Sequence, residues 1–272
     1  VRTAIFAGPF APNEARLMAA APPVVDPADV DATWLTAALR SAGFAVSVES
    51  FDVVPVGTGQ LGETYRYDLR YAPGAAEAPN SIIGKFHSSD AGSRAIAKQL
   101  GLYRHEYMFY RELAASANTS IPHPYLVLSD DDNRFVLLLE DLAPAKPADH
   151  LNGLTLDQAR LALCEAARLH ASHWGDLSLE QSEWLGGAGR GQGIVGPDEL
   201  APFWAGFKDR YAGQTSAERL AVGDAFVRHF GKWNRPRARP RSLTHNDFRA
   251  DNFLFGTAEG GKPITVVDWQ TL

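Results

Sequence analysis

The chain has 272 residues, enough for one large domain or two small lobes. Hydrophobic residues make up 45% and charged residues 21%, which excludes general disorder. A net charge of −6 argues against nucleic acid as the main partner, because phosphate binding favours a basic surface. Cys164 is the single cysteine, so an internal disulfide is excluded, a cysteine-based zinc site is implausible, and a reducing cytoplasm fits. No apolar run approaches the ~20 residues that cross a bilayer. The stretch from Leu17 to Val25 is broken by Pro22 and Pro23 and preceded by Glu14, unlike a signal-peptide core.

Residues 1–30 read as an Ala/Pro-rich surface arm with one helical turn around Asn13 to Ala20. Asp31 is a candidate N-cap for a helix over Ala32 to Ala42, where Leu35, Ala38, Leu39 and Ala42 share a face and Gly43 follows as the C′ residue. The pattern then turns to strands at Val46–Val56, Thr64–Tyr71 and Ser81–His87. A helix is expected over Ala91 to Ser116. Tyr125–Leu128 and Arg134–Glu140 form a hairpin around the acidic turn Asp130 to Asn133, which lacks the Gly and distant Glu of a calcium loop. From Asp141 the chain reads as mainly helical, with helices at Leu156–Trp174, Asp198–Tyr211 and Ser216–Trp233. A linker at Pro236–Arg241 precedes strands around Leu243, Phe253 and Ile264. Cys164, Leu169, His170 and Trp174 read as one packed helix rather than a catalytic Cys–His pair, and the basic run Lys232 to Arg241 as a solvated connector. A β-rich first half and a helical second half predict an α+β chain of two lobes: an arm and helix at 1–43, an antiparallel-sheet lobe at 44–140 and a helical lobe at 141–272.

Gly57, Gly59 and Gly62 spell G-x-G-x-x-G. An alternating strand follows instead of a helix, so the loop joins two antiparallel strands, as a phosphate-covering loop does; an ordinary hairpin turn is the plain alternative. Lys85 sits inside an apolar strand, where a charge is costly unless paired or functional; snorkelling at a strand edge is the other reading. Its expected partner is Glu106 on the next helix, ahead of Glu112, which is turned well away on the wheel. Free backbone groups near Glu140 to Leu142 could hydrogen-bond an adenine edge. His245, Asp247 and Asn252 fit H-x-D-x-x-x-x-N, and Asp268 follows the apolar run Ile264 to Val267. Asp247 is the candidate base; Asn252 and Asp268 offer oxygen ligands to Mg²⁺. Arg249 either neutralises charge on a transferred phosphoryl group or pairs with Asp251 or solvent. His245 reads as a structural hydrogen-bonder, and Asn246 and Asp251 as pointing away.

These segments, GTGQLGETYRYDL, IIGKF, EYMFYREL, FVLLLEDL, THNDFRADNFLF and VVDWQ, resemble the aminoglycoside phosphotransferase and choline kinase superfamily, most closely its "phosphotransferase enzyme family" and ecdysteroid-kinase-like branch. Tryptophan and glutamine after Asp268, in place of Phe-Gly, separate the chain from ordinary protein kinases. The resemblance implies a protein-kinase-like fold, ATP or GTP as donor, Mg²⁺, and transfer to a hydroxyl of a small molecule. It implies phosphate binding by Lys85, an ion pair with Glu106, Asp247 as base, and metal binding by Asn252 and Asp268. Relatives continue past the position of Leu272 with a further helical segment, so the helical lobe is expected to be incomplete. A nucleotide-binding module without catalysis is the alternative from another class.

Overall fold

The computed structural model describes residues 20–57, 61–74, 77–186, 196–233 and 239–272. Gly59, most of the helical turn expected at Asn13 to Ala20, and 236–238 of the expected linker lie outside them. The chain forms two compact units, one of residues 1–173 with 243–272 and one of 174–242.

The first unit is built on a five-stranded antiparallel sheet. Its strands are β1 (Val48–Pro55), β2 (Gly62–Tyr71), β3 (Ser81–His87), β4 (Pro124–Ser129) and β5 (Phe135–Glu140), in the order β1-β2-β3-β5-β4. Strand β5 lies inside the sheet, between β3 and β4, with Phe135 to Leu139 all buried, as a strand covered on both faces must be. Helix α1 (Ala32–Ser41) covers one face. Asp31 caps it by accepting Trp34 N at 2.7 Å, and Leu35, Ala38 and Leu39 are fully buried with Tyr67, Ile82, Phe86 and Leu138. The period-2 pattern of β3 thus sends Ile82 and Phe86 to α1 and leaves Lys85 for the opposite face.

The single helix expected over 91–116 is broken. It forms α2 (Ala91–Gln99) and α3 (Leu102–Met108), separated by Gly101 at φ 69°, and α3 runs into a π-helical turn at Phe109–Leu113. Apolar spacing carried across the break, but the left-handed glycine ends one helix and starts the next. The π-turn places both Phe109 and Tyr110 in the interior.

Beyond β5, the two-residue strand β6 (Lys146–Pro147) pairs with β7 (Phe253–Phe255), which pairs with β8 (Thr265–Val266). Helix α4 (Leu156–Ser172) starts in a capping box of Thr155 and Gln158. It buries Ala162, Glu165 and Leu169 and half-buries His170, whereas Cys164 is exposed and Trp174 lies past the helix end; the expected packing of that set holds fully for Leu169 and in part for His170. No strand forms at Leu243, which is buried within irregular backbone.

The second unit holds the short helices α5 (Leu177–Gln181) and α6 (Glu183–Gly186) and the pair α7 (Pro197–Tyr211) and α8 (Ala217–Trp233). Trp204 donates to Asp224 Oδ1 at 2.7 Å, and Lys208 Nζ reaches the same oxygen at 2.9 Å. Gly223 lets the helices meet, since a Cβ there would lie 2.2 Å from the Trp204 ring. None of the described helices is long and apolar enough to cross a membrane.

Candidate active site

Lys85 leaves β3 on the face opposite α1, and α3 brings Glu106 to meet it. Both Glu106 carboxylate oxygens lie 2.8 Å from Lys85 Nζ, and Asp268 Oδ1 lies 2.7 Å from it. Glu106 is buried and Glu112 exposed, so the lysine takes the partner read from the helical wheel. Burial alone would lower the Lys85 pKa, but the two carboxylates overcome it and hold the ammonium above its ordinary value. Burial also pulls Asp268 upward, and Lys85 outweighs it, so Asp268 stays below the ordinary carboxylate range. For Glu106, burial wins over Lys85 and raises the carboxyl. One cation thus faces two carboxylates, and this excess of negative charge suits a second cation.

The segment after β8 is clamped around Asp268. The residue has φ 68°, a left-handed conformation uncommon outside glycine. Trp269 is fully buried and stacks on Phe109 of the π-turn, with centroids 3.9 Å apart and planes 6° from parallel. His105 of α3 faces Gln270 O at 3.3 Å. The helix that carries Glu106 therefore also holds the residues beside Asp268. A further anchor is Glu165 on α4. This buried carboxylate accepts Ser120 N at 2.7 Å and Thr119 Oγ1 at 2.8 Å, and Ser120 O in turn accepts Val266 N of β8.

The loop from Leu243 to Asn252 carries the other groups. His245 is buried, and its Nε2 donates to Val267 O at 2.9 Å, which ties the loop to the segment after β8 that bears Asp268. Burial lowers the His245 pKa, so the ring is a neutral hydrogen-bonder. Asn246 is turned aside, donating to Thr271 O and accepting from Thr244. Asn252 donates its amide nitrogen to Asp247 O at 2.9 Å and to Asp247 Oδ2 at 3.0 Å. That leaves the amide oxygen of Asn252 to offer a cation. Arg249 lies between two acids, with Nε 3.2 Å from Asp247 Oδ1 and Nη1 3.5 Å from Asp251 Oδ2. Asp251 itself is held by His150.

Gly57 follows β1 at φ 76° with open space around it, and Gly62 begins β2, so two of the three glycines flank the β1–β2 turn. Tyr103 of α3 donates its hydroxyl to Leu61 O in that turn and accepts Ser88 N at 3.0 Å. At the end of β5, Glu140 N is bonded to His123 O and Leu142 O to Ala145 N, while the Glu140 carboxylate takes Lys262 Nζ at 2.8 Å. Asp141 next to it binds Arg66 and Ser81.

Sequence reasoning missed Trp269, Phe109, His105, Glu165, Tyr103 and His150. Trp269 stood out beside Asp268 and Tyr103 and Phe109 as packed neighbours of Glu106, though without a site role, and Glu165 carried a signal of its own, a charged residue at the 162/165/169 spacing of a buried helix face. The others act through contacts between elements far apart in the chain.

A strand lysine shared between a helix glutamate and an aspartate just past β8 thus lies beside an Asp–Asn loop, on the antiparallel-sheet N-lobe of an α+β, protein-kinase-like fold. The chain belongs to the phosphotransferase enzyme family, whose family model matches residues 93–272. No curated protein matches the sequence. Among solved structures it is similar to the GDP and kanamycin complex of APH(2")-IIia, at 17% identity and TM-score 0.47, covering 84% of this chain and 69% of that one. It is also similar to the aminoglycoside phosphotransferase APH(4)-Ia, at 17% identity and TM-score 0.39, covering 82% and 68%. A thermostable mutant of APH(4)-Ia in ternary complex with ADP and hygromycin B gives 17% identity, TM-score 0.39 and coverage of 83% and 68%.

Proposed function

We propose that this chain transfers the γ-phosphate of ATP or GTP to a hydroxyl of a small molecule, with Mg²⁺. The observation that carries the reading is the triple contact at Lys85, which joins Glu106 and Asp268 next to the Asp247–Asn252 pair. Lys85 binds the donor's phosphates, and Glu106 fixes the lysine. Gly57 and Gly62, together with Gly59, cover the phosphates, since glycine backbone approaches them without Cβ clashes. Backbone groups of Glu140 to Leu142 that the fold does not itself engage meet the base edge.

Asp268 and Asn252 present a carboxylate and an amide oxygen, the hard donors Mg²⁺ takes, and the excess carboxylate at Lys85 fits a further cation. Bound there, Mg²⁺ would supply charge neutralisation on the donor's phosphates. Asp247 takes the proton of the acceptor hydroxyl as its oxygen bonds to the γ-phosphorus. The bond from that phosphorus to the bridging oxygen breaks, and ADP or GDP leaves with the electron pair. Arg249 neutralises charge on the transferred group. A nucleotide donor and a lone thiol suit a cytoplasmic setting.

The test is transfer of label from γ-labelled ATP or GTP to a panel of hydroxyl compounds that includes aminoglycosides. The expected result is a labelled small molecule with stoichiometric nucleoside diphosphate. Diphosphate formation without any labelled acceptor across a broad panel, at the rate of buffer alone, would sink the reading.

A further inference from the structure

Arg249 is half-exposed, and an isolated surface ion pair is too weak to hold a long side chain in one place. Its second partner, however, is not an ordinary surface acid. Asp251 is gripped at both oxygens by one residue outside the catalytic loop: His150 N donates to Oδ1 at 3.1 Å, and His150 Nδ1 faces Oδ2 at 2.6 Å. The segment bearing His150 is itself fixed. Strand β6 pairs with β7, Ala148 N donates to Phe253 O at 3.2 Å, and Asp149 closes a turn by accepting Leu151 N at 2.8 Å. Asp251 is thus held by one backbone and one side-chain contact from the half-exposed His150, and Arg249 spans from it to Asp247.

We propose that His150 is a positioning residue for phosphoryl transfer: by fixing Asp251 it holds the Arg249 guanidinium beside Asp247. This rests on the phosphotransferase reading above. The two contacts engage Nε and Nη1, and Nη2 carries two further donors for an anionic oxygen. A guanidinium already placed meets developing charge without reorganising, which is where such groups gain most. Without the His150 side chain, Asp251 keeps only the backbone bond to Oδ1, and Oδ2, the oxygen that meets Arg249, is released.

The test uses the full chain and two readouts. The first is the arginine Nε–H resonance of Arg249 without nucleotide, assigned by its loss in Arg249→Lys. The second is turnover with an accepted substrate or, lacking one, with water. His150→Ala should move the Nε–H resonance toward that of free arginine and lower kcat about tenfold, with nucleotide KM nearly unchanged. His150→Asn, whose amide nitrogen can replace Nδ1, should restore most of both, and His150→Ala should add nothing in an Arg249→Ala background. Equal losses in both backgrounds, or an unmoved resonance, would overturn the proposal. A released resonance in a protein that turns over no nucleotide would retain the tether but overturn its catalytic role along with the proposed function.

Discussion

Replacing Asp247 with Ala is expected to lower kcat by about 10²–10⁴, the usual contribution of a positioned general base, and to leave nucleotide affinity nearly intact. The two effects separate because the groups separate. Asp247 contacts Asn252 and Arg249, and none of its hydrogen bonds or ion pairs involves Lys85, Glu106 or Asp268, which would hold the phosphates. The fold should tolerate the change, since Asn252 keeps its bond to the Asp247 carbonyl at 2.9 Å and His245 keeps Val267 O. Steady-state kinetics and nucleotide titration on the same preparation check it. Turnover within tenfold of the unchanged enzyme would move the base elsewhere.

Lys85→Met is expected to be the most damaging single change for stability, at about 3–5 kcal/mol, because it removes the one cation that two carboxylates share. Glu106 is buried and cannot reach water, so its charge is left uncompensated. Burial already raises its carboxyl, and loss of the lysine raises it further. A group whose folded pKa lies above its unfolded value favours folding most at low pH, so the penalty should grow as pH rises above the ordinary carboxylate range, through the raised folded value of Glu106, and shrink below it. Adding Glu106→Gln removes the stranded charge, and the double variant should be more stable than Lys85→Met alone. Urea unfolding across pH checks both points. A double variant no more stable than Lys85→Met would mean that the pair is not coupled as the geometry requires.

Much of the site was legible because its residues break local rules. Lys85 is a charge in an apolar strand, and Glu106 is the one helix acid turned toward it. Asp247, Asn252 and Asp268 stand at a spacing that demands one loop and one strand end. The strand sheet followed from period-2 alternation and turn residues, and α1 from its cap and apolar face. What could not be read depends on packing across distance. Nothing local shows that Phe109 will stack on Trp269, 160 positions later, or that a π-turn will bury Phe109 and Tyr110 together. Strand β6 is two residues long and owes its existence to β7. Leu243 is apolar and buried, yet has no strand beside it to pair with. Reading in chain order also divides at 140, whereas packing gathers residues 243–272 with the sheet and leaves 174–242 as its own unit.

The central claim, a Mg²⁺-nucleotide site at Lys85, Glu106 and Asp268, is tested most directly by thermal unfolding with ATP or GTP, with and without Mg²⁺. A ligand that binds only the folded chain raises the midpoint in proportion to the logarithm of its concentration over Kd. The expected result is a Mg²⁺-dependent rise with at least one nucleotide at millimolar concentration, reduced by Asp268→Ala and unaffected by Asp247→Ala. No rise with either nucleotide, or a rise indifferent to Mg²⁺ and to Asp268→Ala, would contradict it.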